Sequence, residues 1–224
     1  MSRLEHKRLT ILCGHYGSGK TNVAVNLAFK LREQHERVTV ADLDIVNPYF
    51  RTKDSMKEFD ERGIRLICSP YANSNVDIPA LPQELYSVTD DKGQTVVLDI
   101  GGDDRGALAL GRLAPQIKAE GDYAMLMVIN RYRPLTPDAA STIEVMREIE
   151  TACGIPFTGL VNNSNLGEET TADDVLTSMA YADEVANAAG LPLVMTTVKD
   201  DLYDKLNEQI PDLFPMRLQD RYFL

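Results

Sequence analysis

A chain of 224 residues, 44% hydrophobic and 25% charged, has the composition of an ordinary globular protein, long enough to bury a core without staples, and reads most simply as one domain, 1–224. No apolar run approaches the roughly 18 residues of a membrane span, and Met1 to Lys7 is polar with no signal-peptide core behind it, so a cytoplasmic location is expected. Net charge is −11, and from Glu150 to Leu224 four Lys or Arg face thirteen Asp or Glu; an acidic carboxyl-terminal third would repel a phosphate backbone, which disfavours a nucleic-acid partner.

Strands and helices alternate along the whole chain. Thr10 to Cys13 reads as a buried strand that breaks at Gly14 into a glycine-rich turn, and residues 21 to 32 then place Val23, Ala24, Leu27, Ala28 and Leu31 on one helical face. Arg37 to Asp44 is a second strand, rich in β-branched residues and ending Ala-Asp-Leu-Asp. Ile45 to Arg51 continues as a loop, because Pro48 disfavours helix at Asn47. A helix over about 49 to 62 closes on Gly63, and Ile64 to Cys68 is a short third strand. Residues 70 to 93, with Pro70, Pro79 and Pro82 and a turn at Asp90 to Gly93, suggest a surface excursion with a short helix near 80 to 87. Gln94 to Ile100 is an apolar strand that runs into Gly101-Gly102-Asp103-Asp104-Arg105-Gly106, followed by a helix to about Glu120. Tyr123 to Ile129 is another buried strand. Thr136-Pro137-Asp138 opens a helix ending at Gly154, with Thr136 as cap and Pro137 at the first position. Phe157 to Val161 is a strand, 172 to 189 a helix closed by Gly190, Leu191 to Val198 the last strand and 200 to 209 the last helix. The apolar tail from Leu213 to Leu224 is expected to pack on the domain. About seven strands separated by helices predict an α/β fold: a three-layer, doubly wound, mostly parallel sheet with helices on both faces.

Gly14, four intervening residues and Gly19-Lys20-Thr21 satisfy the pattern G-x4-G-K-[ST]. Glycines let the backbone curl so that consecutive N–H groups point at phosphate oxygens. Gly14, Tyr16, Gly17, Ser18, Gly19, Lys20, Thr21 and Asn22 therefore form the candidate nucleotide-binding stretch. Lys20 would reach the β- and γ-phosphates, Thr21 would offer its hydroxyl to Mg²⁺, and the first helical turn would add its N–H groups and dipole. In an open parallel sheet, ligands bind at the carboxyl ends of the strands, and polar residues recur there. Asp99 ends a buried strand and suits metal-bound water. Asp42 and Asp44 are two apart on one strand and point to the same face. Asp44, nearer the loop, is expected to orient the attacking water, and Asp42 to serve the magnesium or the waters around it. Cys13, Cys68 and Cys153 are odd in number and far apart, which suggests buried thiols and no disulfide framework or cysteine-built metal site.

A Gly-rich loop, a second strand ending in Asp-x-Asp, an apolar strand ending in Asp-x-x-Gly (Asp99 to Gly102) and an Asn-bearing strand end together resemble the MinD/ParA/CobQ-type (SIMIBI) branch of P-loop NTPases, over about residues 8 to 199. The resemblance implies a P-loop fold and a slow Mg²⁺-dependent ATPase that acts as a nucleotide-driven switch on a protein partner or cargo. It implies that Asp44 lies in a first switch and Asp99 to Gly102 in a second, with Gly102 near the γ-phosphate. Asn162 or Asn163 would touch the base, helped by Lys199 in the loop after Val198. Members with the deviant loop carry a lysine one residue after its first glycine, which reaches across a homodimer to the partner's nucleotide. Here that position is His15, whose neutral imidazole does not reproduce a fixed cation, and Arg51 or Arg105 would have to substitute from a switch. The guanine-reading Asn-Lys-x-Asp would fall at Asn162 to Asn165, without its final carboxylate, which favours adenine. The cysteine pair of iron–sulfur and nickel carriers is missing, which disfavours those activities. A second reading is an ATP-dependent small-molecule kinase or ligase-like enzyme of the dethiobiotin synthetase kind, with residues 70 to 93 and Asn47 to Arg51 as acceptor site. A third is a module that binds nucleotide without hydrolysing it.

Overall fold

The computed structural model describes residues 7–44, 53–68, 83–102 and 104–218, and at 53–55 and 104–105 the backbone alone. The Asn47 to Arg51 loop, most of the 70 to 93 excursion and the last residues of the tail lie outside the described residues, as does the side chain of Arg105. In chain order the elements are β1 (Leu9–Cys13), α1 (Lys20–Arg32), β2 (Val38–Leu43), α2 (Lys53–Glu61), β3 (Ile64–Cys68), α3 (Gln83–Asp90), β4 (Thr95–Ile100), α4 (Asp104–Gly111) and α5 (Ala114–Glu120). They continue with β5 (Tyr123–Ile129), α6 (Ala139–Cys153), β6 (Gly159–Asn162), α7 (Ala172–Ala189), β7 (Leu193–Lys199), α8 (Asp200–Leu206) and β8 (Leu213–Met216).

Among the described residues eight strands form one sheet in the order β3-β2-β4-β1-β5-β6-β7-β8, and every neighbouring pair is parallel. β1, β2 and β4 are buried along their whole length, because helices cover both faces and each strand is a run of apolar or β-branched residues. Alternation along a strand divides those side chains between two cores. Leu9, Ile11, Val96, Leu98, Met125 and Met127 pack in one core, with Leu110, Ile143 and Val185 from α4, α6 and α7. Leu12, Val40, Val97, Leu126 and Val128 pack in the other, with Val23, Leu27 and Leu31 of α1. Gly159 has no room for a side chain: a Cβ there would lie 2.8 Å from a Val194 methyl. All the strands end on the same edge of the sheet, so the described residues that follow β1, β4, β5 and β6, and Asp44 after β2, gather around one crevice.

The structure departs from the sequence expectation in four places. The tail contributes an eighth strand: Leu213 to Met216 pairs with Thr196 to Lys199, because the exposed edge of β7 satisfies its backbone. Asn26 of α1 then clasps Arg217, accepting from its N–H at 3.0 Å and donating to its carbonyl at 3.0 Å. The helix expected up to Glu120 is two helices. Pro115 has no N–H to extend the first, and the chain turns instead through tighter bonds from Arg112 and Leu113 to the carbonyls of Ala109 and Leu110. Asp138, not Thr136, caps α6, accepting from Ser141 N–H at 2.9 Å; the Thr136 hydroxyl donates to Asn130 O instead, at 2.9 Å. The short helix after the prolines, α3, runs on to Asp90 rather than ending near 87. Among the described residues no helix is long and apolar enough to cross a membrane.

Candidate nucleotide-binding site

The turn from Gly14 to Gly19 is held in a shape that its own residues dictate. Gly17 and Gly19 have φ of 80° and 84°, the left-handed region that a Cβ disfavours. A Cβ on Gly14 would lie 2.5 Å from the Val128 carbonyl of β5, and one on Gly19 would lie 2.3 Å from Asn163 Nδ2. The loop is thus pressed against β5 on one side and β6 on the other. Ser18 N–H closes the turn on His15 O at 3.1 Å. Gly19→Ala combines an unfavourable backbone with a displaced neighbour, and it is expected to cost on the order of 2 kcal/mol. Denaturant unfolding of the nucleotide-free protein checks this; an unchanged midpoint would contradict the geometry.

Lys20 and Thr21 begin α1 and are almost fully buried, at 4% and 5% exposure. Lys20 Nζ lies 3.1 Å from Asp44 Oδ2. Thr21 Oγ1 donates to Asp99 Oδ2 at 2.6 Å. Asp99 stands beside Asp42 in the β2–β4 register, and Asp42 Oδ1 accepts the N–H of Asp44 at 2.8 Å. The side chains expected to handle phosphate and metal, Lys20, Thr21, Asp42 and Asp99, therefore meet at the ends of β1, β2 and β4, together with Asp44, the expected water-orienting carboxylate. Asp99 is fully buried, and burial pushes its carboxyl up to about 6; Lys20 and the Thr21 hydroxyl pull it down, and the Asp44 charge adds to the rise. Its second oxygen, Oδ1, is buried without a hydrogen-bond partner. A carboxylate oxygen left over beside a threonine hydroxyl fits a divalent cation. Among the described residues no group of three His, Cys, Asp or Glu could hold a metal by itself. One carboxylate oxygen and one hydroxyl suit Mg²⁺, which keeps waters and phosphate oxygens for most of its shell.

The remaining expected site residues divide. A Cβ on Gly102 would lie 2.6 Å from Tyr16 N and 2.9 Å from Gly14 O, so the segment after β4 lies directly against the start of the loop. Tyr16 is 65% exposed, and His15 turns its Nδ1 to within 3.0 Å of Tyr16 O. Asn22 is half-buried on α1, and its carbonyl accepts from Asn26 at 2.8 Å. Asn163 is a strut: its Nδ2 donates to Ser18 O at 2.6 Å, and its Oδ1 accepts from Thr197 Oγ1 at 2.5 Å. Asn162 is fully buried and bonded elsewhere, to Ser178 Oγ of α7 at 2.9 Å and to its own loop at Ser164 N. Lys199 pairs with Glu168 at 2.9 Å and Asp201 at 3.8 Å. Sequence reasoning did not single out Thr197 or Asn130. Asn130 is fully buried at the end of β5, where its Oδ1 accepts from Tyr132 N and Asn165 N; an Asn closing an apolar strand was the available signal. Cys13 is buried at the loop's root, and burial raises its thiol well above the usual range.

A family model described as the CobQ/CobB/MinD/ParA nucleotide binding domain matches residues 9–190. The chain belongs to this family. That agrees with the resemblance carried by the loop and the strand-end carboxylates: the chain carries a nucleotide-binding domain of the MinD/ParA type. Among solved structures the chain is similar to chloroplast FtsY from Physcomitrella patens, at 15% identity over 84% of this chain and 57% of that one, TM-score 0.57. It is also similar to FtsY from Mycoplasma mycoides (15% identity, 87% and 61%, TM-score 0.56) and to cell division protein FtsY from Thermotoga maritima (16% identity, 95% and 65%, TM-score 0.56). At these identities the likeness is one of fold, and the chain spans less than two thirds of each of those structures. No curated protein matches the chain significantly.

Proposed function

We propose that this chain is a single Mg²⁺-dependent, ATP-binding domain that hydrolyses ATP slowly and acts in the cytoplasm as a switch on a protein partner. The observation that carries the reading is the pairing of Lys20 with Asp44 beside the Thr21–Asp99 hydrogen bond. A triphosphate in the loop competes with Asp44 for Lys20. Once Lys20 turns to the phosphates, the Asp44 carboxylate loses that pairing and can hold and orient a water. Gly102, against Tyr16 and Gly14, couples the segment after β4 to the same event. Thr21 and Asp99 would hold Mg²⁺, which when bound would neutralise charge on the β- and γ-phosphates. Asn163 reaches the loop through Ser18 and could turn its amide to a base only by giving up a strut. Asn165, at the place of a guanine-reading carboxylate, donates to Asn163 O at 2.7 Å, and adenine is the base we assign. A homodimer is one form the partner could take.

Titration of the protein with fluorescent ATP and GTP analogues, with Mg²⁺ or with EDTA, tests this. Tight ATP binding that needs Mg²⁺, with slow phosphate release, is the expected result. Preference for GTP would overturn the adenine assignment, and phosphate release only after a small-molecule acceptor is added would point to a kinase. Asp44→Asn should leave ATP affinity equal or higher, since a competitor for Lys20 is gone, while turnover falls about 100-fold. Unchanged turnover in that variant would remove Asp44 from the reaction.

A further inference from the structure

The loop after β5, Asn130-Arg131-Tyr132-Arg133-Pro134, carries two arginines that go opposite ways. Arg131 faces α7: its Nη1 donates to Thr177 O at 3.0 Å, and its guanidinium lies 5.7 Å from the Tyr132 ring, whose hydroxyl donates to Asp174 O at 2.9 Å. Arg133 faces the phosphate loop. Its Nε, Cδ and Cζ lie 3.6, 3.7 and 3.9 Å from the point where a Gly17 Cβ would be. The backbone fixes that placement: Arg133 N–H donates to Asn130 O at 3.2 Å, its carbonyl accepts from Thr136 N–H at 3.1 Å, and Asn130 is itself locked to the β6 loop. Arg133 Nε is buried without a hydrogen-bond partner, and among the described residues no carboxylate is paired with the guanidinium. In a chain of net charge −11, acidic groups to neutralise an arginine are plentiful. A buried donor left unmatched costs stability unless a ligand satisfies it.

We infer that Arg133 is a further phosphate-binding residue, a cation supplied in cis from the β5–α6 loop to the phosphate chain held at Gly17. The inference rests on the ATP-binding reading above. It gives this site a fixed positive charge close to the loop whose second residue is His15 and not a lysine, without a second subunit. Because the guanidinium adds to the attraction through charge, its effect should grow with the charge of the nucleotide.

The test compares Arg133→Gln and Arg133→Lys with the unaltered protein in equilibrium binding of Mg-ATP and Mg-ADP, alongside thermal unfolding without nucleotide. Arg133→Gln is expected to weaken ATP about 10-fold or more and ADP by less, with the nucleotide-free melting temperature unchanged or raised, and Arg133→Lys to restore most of the ATP affinity. ATP and ADP affinities within twofold of the unaltered protein in Arg133→Gln would overturn the inference, as would equal losses for both nucleotides together with a lowered melting temperature. If Lys20→Met abolishes ATP binding while Arg133→Gln does nothing, Arg133 alone is misassigned. If the unaltered protein binds no ATP, the ATP-binding reading falls first and this inference with it.

Discussion

Lys20→Met is expected to abolish measurable ATP binding, a loss of at least about 100-fold, and at the same time to destabilise the nucleotide-free protein by about 3 kcal/mol. Both effects come from one ammonium group. Its Nζ is 3.1 Å from Asp44 Oδ2 with both side chains 5% exposed, and it also offsets the charge of Asp99. Removing it leaves carboxylates of β2 and β4 crowded at the strand ends with their principal cation gone. Breaking a buried pair from one side costs more than the pair is worth, because a charge remains without its counter-charge. Lys20→Met/Asp44→Asn should therefore recover most of the lost stability and none of the nucleotide affinity. Denaturant melts and ATP-analogue titrations on the two variants separate the effects. Recovery of binding in the double variant would mean that Lys20 acts only by restraining Asp44 and does not touch phosphate.

Asp99→Asn should do the reverse of most substitutions at a buried site and make the nucleotide-free protein more stable at pH 8, by about 2 kcal/mol, while Mg²⁺-dependent ATP affinity falls at least 100-fold. The Asp99 carboxyl is raised to about 6 from 3.8 by burial. A folded-state value above the unfolded one means that the folded protein holds the proton more tightly. Its stabilising contribution is complete below about 3.8 and is lost as pH rises through 6. Above that, the ionised carboxylate costs on the order of 3 kcal/mol, part of which the amide's own unmet hydrogen bond would reclaim. Stability of the unaltered protein measured from pH 4 to pH 8 should show this decline superimposed on the other titrations, and the Asn variant should lack it. The same proton must leave when a divalent cation occupies the carboxylate, so Mg²⁺-dependent ATP binding should weaken as pH drops below about 6. An Asn variant less stable than the unaltered protein at pH 8 would show that the Asp99 charge is better compensated than the buried geometry allows.

Much of the candidate site's geometry was legible because its signals are local. Gly14, Gly17 and Gly19 are spaced by what a single turn requires, and Asp42, Asp44 and Asp99 close apolar strands where burial gives way to the crevice. Asn162 and Asn163 were indistinguishable in sequence, since they stand side by side where β6 ends. One residue along a strand reverses the face, so Asn162 goes to Ser178 on α7 while Asn163 goes to Ser18, 145 residues away in the chain. Lys199, expected in a base-contacting loop after Val198, instead ends β7 directly before α8 and is paired with Glu168 and Asp201. The tail was legible as apolar but not as a strand, since four residues take strand form only when an edge such as β7 is there to pair with.

By itself the sequence determined the alternating fold, the glycine-rich turn and the acidic strand ends, because hydrophobic period, glycine conformation and strand termination are properties of neighbouring residues. Only the tertiary structure decided that Asp44 rather than Asp42 takes Lys20, that Asn163 braces the loop, that Arg133 and not Arg131 turns toward Gly17, and that β8 completes the sheet. Each of those depends on which strands lie side by side and in what register, and that is fixed by packing two cores against one sheet, not by any local stretch of the chain.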